Sequence, residues 1–384
     1  MPWKDLSVVE QRRALVETLL EGAEPVVSIC RNFGVSRQTA YKFLQRFRSD
    51  GGAGLNNRVA ASGSTPAPQA VRWRQWILRL RRSEPTWGAR KLLWLLRQQG
   101  ARRCLPAERT VQRWLKQAGV VARKKQPRRQ VRPTRRSRGR IARRSNQVWT
   151  IDLKGWFLTG NRTKIEPLTV RDLWSKYVLW ARRLAPRDEA GVRWVCQQLF
   201  RRYGRPWVIR CDLGAPFFGD GPHGFTRLSL WWWRLGISIE FVRRGSINNN
   251  AHEQMHRVMK AELAITHTAT AQAQRLESWR RRYNRRRPHE ALGGRTPASV
   301  YRPRPRRPVV LRSPRYPRHY LVKHVQQGGS ITLPGWRGSI GRAFVGLRIG
   351  LAPAGDRRYR VYFTHLYLGL LDLNQTKRMV LATF

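Results

Sequence analysis

Between Glu108 and Asp152 this chain carries no acidic residue, and twelve of the 22 residues from Arg123 to Arg144 are Lys or Arg. No segment of that composition can bury itself, so the run divides the chain. The residues before it read as helical and those after it as mixed α/β, which makes the protein multidomain. The imbalance is global, with 77 Lys+Arg against 22 Asp+Glu and a formal net charge of +55. Such a charge calls for a polyanionic partner, and double-stranded DNA is the polyanion that fits, because Lys and Arg at phosphates release condensed counterions.

The remaining bulk features narrow the class. A hydrophobic fraction of 41% with 17 Trp supplies real cores. No run of about 18 apolar residues exists for a spanning helix, so no membrane partner is expected. The start, MPWKDLSVVEQRR, lacks the layout of a signal peptide, and the expected location is cytoplasmic and nucleoid-associated. Cys30, Cys104, Cys196 and Cys211 form no C-x-x-C pair and read as reduced core cysteines.

Residues 1–50 carry the pattern of a helix-turn-helix. Val26 to Phe33 is the first helix, Gly34 the turn, and Ser36 an N-cap for the second. In that second helix Ala40, Phe43, Leu44 and Phe47 form the inward stripe. Arg37, Gln38, Tyr41, Lys42 and Gln45 then face outward, where a recognition helix meets base edges. Residues 51–68 read as a linker, 69–120 as a second helical DNA-binding unit, and 121–146 as a basic linker that tracks phosphates. Residues 147–287 read as strands and helices in the order β-β-β-α-β-α-β-α-α. A Pro/Arg-rich connector (288–308) leads to short strands with turn signals over 309–384, expected to close a small all-β barrel.

In so basic a chain, acids at strand ends are conspicuous. Asp152 closes the strand of NQVWTIDL, Asp212 closes PWVIRCD, and Glu253 lies in the first turn of a helix. The intervals are 59 and 40 residues. Strand ends and a helix start can converge at one edge of an α/β sheet. Hard divalent cations take such oxygen ligands, and a pair of them can clamp the attacking and leaving oxygens of a phosphodiester. Glu253 in a first turn is also what the helix dipole favours on its own. Asp172, Asp188 and Asp220 read as structural, with Asp188 a helix cap. His252-Glu253-Gln254-Met255-His256 also fits the zinc-protease string H-E-x-x-H, in which two His on one helical face hold zinc. A peptidase has no use for this charge or for two strand-end aspartates.

The stretches VWTIDLKG, VIRCDLGAPF, RLSLWWWRLGI, HEQMHRVMKAEL and YNRRRPHEALGGRTPASVY together resemble bacterial insertion-sequence transposases of the DDE type, with a retroviral-integrase-like catalytic core. The resemblance covers the whole chain. It implies a ribonuclease-H-like core, two Mg2+ (or Mn2+) ions held by Asp152, Asp212 and Glu253, and DNA end cleavage with subsequent strand transfer. It also implies a homo-oligomer, since two element ends must be joined. Arg257 and Lys260 would share the face of Glu253 and hold DNA, while the two histidines point elsewhere. Two positions depart from the family pattern: Leu213 stands where Asn is usual after the second acid, and Asn250 replaces the glycine of Asn-Gly. Leu213 motivates the alternative reading, a catalytically inactive repressor or end-binding protein.

Overall fold

The structure, a computed structural model, describes residues 7–57, 68–101, 105–121, 139–153, 155–184, 186, 188–242, 250–304, 311, 313–374 and 380–381. Most of the basic linker, Cys104 and the loop containing Asn249 lie outside the described residues. The chain forms two compact units, Met1–Arg72 and Trp73–Phe384.

In the first unit, α1 (Val8–Glu21) begins in a capping box between Ser7 and Glu10. The expected helix-turn-helix is present as α2 (Val26–Asn32) and α3 (Arg37–Asp50), with Gly34 at φ +63° in the turn. The Ser36 side chain accepts the Thr39 amide and caps α3. Leu15, Ile29, Cys30 and Ala40 form its core, with Phe43, Leu44 and Phe47 half-buried behind them. The linker expected from residue 51 starts later. Gly51–Leu55 is a 3-10 helix that folds back, so that Leu55 is fully buried and its carbonyl accepts Arg12 Nη1 at 2.8 Å. A Cβ on Gly54 would stand 2.3 Å from the Arg46 carbonyl oxygen, so only glycine permits this return.

The second unit holds most of α4 (Pro68–Ser83), then α5 (Ala89–Gln98) and α6 (Glu108–Gln117), joined by Ile77, Leu80, Leu92, Leu96, Val111 and Leu115. These helices are tied to the end of the α/β region. Gln98 donates to the Gly294 carbonyl at 2.8 Å, and Glu84 pairs with Arg286 at 3.4 Å.

The α/β region is built from β1 (Val148–Leu153), β2 (Phe157–Leu158), β3 (Lys164–Ile165), β4 (Pro167–Asp172), β5 (Val178–Arg183), α7 (Glu189–Tyr203), β6 (Val208–Asp212), α8 (Arg227–Arg234), β7 (Ser238–Val242), α9 (Asn250–Glu262) and α10 (Ala269–Arg285). The main sheet has the order β5-β4-β1-β6-β7. β4 pairs antiparallel to β1 and β5, whereas β6 and β7 continue parallel, with α7 and α8 as the crossovers that parallel neighbours require. One face packs Trp149, Ile151, Ile209 and Cys211 against Val192, Cys196, Leu199 and Trp232. The other packs Val178 and Ala181 against Met255, Met259 and Leu276. Each fully buried Trp of this core contributes roughly 4–6 kcal/mol of gross burial, on about 150–250 Å².

The Trp triplet serves two cores because successive helical residues turn by about 100°. Trp231 and Trp232 enter the sheet core, while Trp233 meets Phe363 at 5.7 Å in the C-terminal region. There β8 (Leu321–His324), β9 (Ser330–Leu333), β10 (Trp336–Ser339), β11 (Arg348–Pro353), β12 (Arg358–Phe363), β13 (Leu366–Asp372) and β14 (Val380–Leu381) form an antiparallel sheet, β14-β13-β12-β11-β8, and a separate hairpin, β9–β10. The closed barrel expected for this region is not what these strands make. Gly328 and Gly329, both at φ +85°, turn the chain after β8, so β9 pairs with β10 instead of extending the sheet. No helix of the described residues is long and apolar enough to cross a membrane.

Candidate active site

The alternation of β1 decides which side chains face the site. Trp149 and Ile151 are sunk in the core against α7, so Thr150 and Asp152 face the opposite side. Ile209 and Cys211 do the same for β6 and put Arg210 and Asp212 on the face of Asp152. The parallel register sets Thr150 beside Arg210, and two residues further β6 ends in Asp212 while β1 carries Asp152 one residue before its end. Both carboxylates act on Cys211, whose thiol is pushed well up, first by burial and then by Asp212 and Asp152. The two aspartates therefore share one sheet edge.

Two details shape Asp212. The Gly214 amide donates to its Oδ1 at 3.3 Å, and a Cβ on Gly214 would lie 3.2 Å from Oδ2. Leu213 is 41% exposed, so the departure from the family pattern sits at the surface of this edge.

α9 lies across Thr150 and Thr169. The β1–β4 register places Thr169 opposite Asp152. The Thr169 hydroxyl donates to the Asp152 carbonyl at 3.1 Å, and lies 2.7 Å from His252 Nε2 and 2.8 Å from His256 Nε2. A hydroxyl has one proton, and a carbonyl can only accept, so both imidazoles must donate to Thr169. The tautomers are set by that network. His252 then carries its proton on Nε2, and its Nδ1 accepts the Thr150 hydroxyl at 2.6 Å. Burial, then His256 and Arg171, hold His252 well below the usual imidazole range and so neutral. His256 Nδ1 lies 3.7 Å from Asp152 Oδ2.

Asp152, His252 and His256 thus offer one ligand atom each, all within 4.8 Å of one another, a group that could hold a metal ion. Both ring nitrogens of His252 are already committed to hydroxyls, however. Zinc at the H-E-x-x-H pair would break two buried hydrogen bonds, at about 1–3 kcal/mol for each group left unsatisfied.

Glu253 is on the neighbouring, exposed flank of α9, with Arg257 and Lys260 also exposed at i+4 and i+7. The two histidines of α9 turn toward the sheet, while Glu253, Arg257 and Lys260 are exposed. The three acids are not drawn into one cluster: among the described residues, the group that contains Asp152 is completed by His252 and His256, and neither Asp212 nor Glu253 belongs to it. Carboxylates with no cation between them repel, which favours that spacing. Among the other acids, Asp188 caps α7 through the Gly191 amide. Asp172 is buried at the end of β4, where it accepts from Ser175 and Asn146.

On α3 the residues expected to meet DNA, Arg37, Gln38, Tyr41, Lys42 and Gln45, are all exposed. Sequence reasoning missed Thr150, Thr169 and Gly214. Thr150 had a signal, lying two residues before Asp152 on one strand face. Thr169 had none, since only strand register brings it there.

Comparison with known proteins agrees with this architecture. Residues 235–297 match the integrase core domain family, and 320–379 match the C-terminal domain of IS481 family transposases. Residues 39–115 match a homeodomain-like domain and 11–63 a helix-turn-helix domain. An insertion element IS407 uncharacterized 31.7 kDa protein of Burkholderia multivorans is 25% identical over 223 residues, 56% of this chain and 76% of that protein. Among solved structures, the chain is similar to the HTLV-2 integrase catalytic core domain in complex with magnesium (12% identity, TM-score 0.34, 42% of this chain and 100% of that one). It is also similar to a simian T-cell lymphotropic virus intasome in complex with PP2A regulatory subunit B56 gamma (16% identity, TM-score 0.36, 76% and 97%). One chain thus carries segments similar to an integrase core, to the C-terminal domain of IS481 family transposases and to helix-turn-helix domains.

Proposed function

We propose that this transposase cleaves the DNA ends of an insertion sequence and joins them to target DNA, using divalent metal held by Asp152, Asp212 and Glu253. The observation that carries the reading is the pair of aspartates at the same end of neighbouring parallel strands, beside a helix whose exposed face bears Glu253, Arg257 and Lys260. The donor set is all oxygen at the sheet edge, which fits Mg2+ or Mn2+ better than a softer ion. When bound, two such ions would supply charge neutralisation at the scissile phosphate and a more acidic nucleophile.

The chain's own part is positioning. The Gly214 amide orients the Asp212 carboxylate, and the Thr169–histidine network ties α9 to the Asp152 backbone. Arg257 and Lys260 are placed to take phosphates flanking the scissile one. In the first step a water oxygen bonds to phosphorus and the 3′ oxygen of the element end leaves. In the second, that 3′-OH bonds to a target phosphorus and a target 3′ oxygen leaves. Both are phosphodiester exchanges that need no oxidant and no covalent enzyme intermediate.

Arg37, Gln38, Tyr41, Lys42 and Gln45 would read the element ends in the major groove. Two ends must be held together, so the active form would be a homo-oligomer. The test incubates the protein with Mg2+ and linear DNA bearing the element ends. Cleaved and joined products support the reading. A shift in DNA mobility without either product would make the chain an inactive end-binding protein, the alternative that Leu213 motivates.

A further inference from the structure

We propose that a cavity beneath the β4–β5 turn is a binding site for a phosphate group of the DNA backbone, separate from the carboxylate edge. It rests on the reading of the chain as an enzyme acting on DNA. The cavity is about 390 Å³ and is lined by Arg140, Lys176, Arg210 and Arg295, with Ile141 and Trp174 among its apolar walls. Four segments supply those cations: the approach to β1, the turn after β4, the middle of β6, and the chain beyond α10.

Among the described residues, the charge around this cavity is not balanced by the acids at hand. Glu240 is held by Arg210 at 2.7 Å and by the Arg140 amide at 3.0 Å. Asp172, hydrogen-bonded to Ser175 and Asn146, is the acid that acts on Lys176, and it is shared with Arg171. Lys176 donates to a neutral acceptor, the Leu173 carbonyl, and burial, with Arg171 second, lowers it to about 8. Behind it, His289 is pushed down to about 2 by burial and by Arg171, Arg287, Lys91 and Lys176. Its Nε2 is buried without a hydrogen-bond partner. A half-buried Lys176 beside Arg171, with Arg140 and Arg295 exposed at the rim, carries charge at some cost, and an entering phosphate removes that cost through charge-assisted hydrogen bonds.

The position favours a backbone phosphate over a free anion. Gly139 to Ala142, which line the cavity, are the end of the acid-free stretch of twelve cations in 22 residues. Arg210 lies two residues, or about 7 Å of strand, before Asp212 on the same strand face. A strand held here is thus continuous with one that reaches the carboxylates.

Lysine-selective isotope labelling and NMR of the full chain test this, with Lys176→Gln used to assign the resonance. A duplex oligonucleotide should move the Lys176 signal and raise its titration midpoint above about 8. The double variant Lys176→Gln/Arg295→Gln should bind duplex roughly 10-fold or more weakly and flatten the slope of log K against log salt by about 1–2. A Lys176 signal that stays still while duplex binds and the Lys42 and Lys260 signals respond would overturn the site and leave the enzyme reading intact. A Lys176 that answers inorganic phosphate but not duplex would make it a small-anion cavity and overturn the proposal. A wild-type protein that fails to bind duplex at all would overturn this site together with the reading beneath it.

Discussion

The two ends of the central sheet carry opposite charge on the same face. At one end Asp152 and Asp212 share an edge, and the buried imidazole of His252 is held neutral. At the other, Lys176, Arg210 and Arg171 gather with His289, which burial and the surrounding cations keep deprotonated. The acid end is held by directed hydrogen bonds, from Gly214 to Asp212 and from Thr169 to the Asp152 backbone. The cation end is held by burial, with its strongest direct pairing between Arg210 and Glu240.

Substitutions can break that contrast. The largest effect is expected at the acid end. Asp212→Asn should lower strand transfer by roughly 10³-fold or more while leaving end binding unchanged, as measured by product formation and mobility shift on one sample. Equal loss of binding would show the aspartate to be structural. Next comes Thr169→Val, which removes the hydroxyl shared by His252, His256 and the Asp152 carbonyl. Leaving those groups unsatisfied should cost about 1–3 kcal/mol in chemical denaturation, and an unchanged midpoint would show that the network does not hold α9 to the sheet.

The cation end gives a pH-dependent effect. Lys176 is lowered to about 8 in the folded protein, against an unfolded value near 10.5. Its folded charge is disfavoured, so it destabilises the protein below pH 8, and that penalty disappears as pH rises to the unfolded value. Lys176→Met should therefore melt roughly a few degrees above wild type at pH 7. The gap should close between pH 8 and 10.5. A gap that widened over that window would mean the lysine is stabilised by its surroundings. The smallest effect is expected at the exposed Leu213. Leu213→Asn should change stability by no more than about 0.5 kcal/mol. A chain inactive as Leu213 and active as Asn would mark this copy as disabled.

Much of this was legible from residues alone. Strand alternation and the apolar runs around Asp152 and Asp212 exposed both strand ends, and Ser36 with Gly34 located the helix-turn-helix. That Glu253, Arg257 and Lys260 share one face of α9 came from helical spacing. The features that stayed hidden depended on distant segments meeting. Thr169 reaches Asp152 through antiparallel register, and no local pattern encodes that. The fold-back at Leu55 looked like linker because Gly54 and its neighbours are small, yet close contact with the Arg46 carbonyl requires that smallness. The C-terminal strands were recognised, but not the turn at Gly328 and Gly329 that precedes the separate β9–β10 hairpin.

The histidine string is the remaining rival to the carboxylate account, and the two readings put metal in different places. Anomalous diffraction from crystals grown with Mn2+ and an element-end duplex separates them directly. The account predicts peaks flanked by the carboxylates of Asp152 and Asp212, with Glu253 swung in to complete the site and Thr169 still bonded to both imidazoles. A single peak seated among Asp152, His252 and His256, with Asp212 and Glu253 left in solvent, would contradict it.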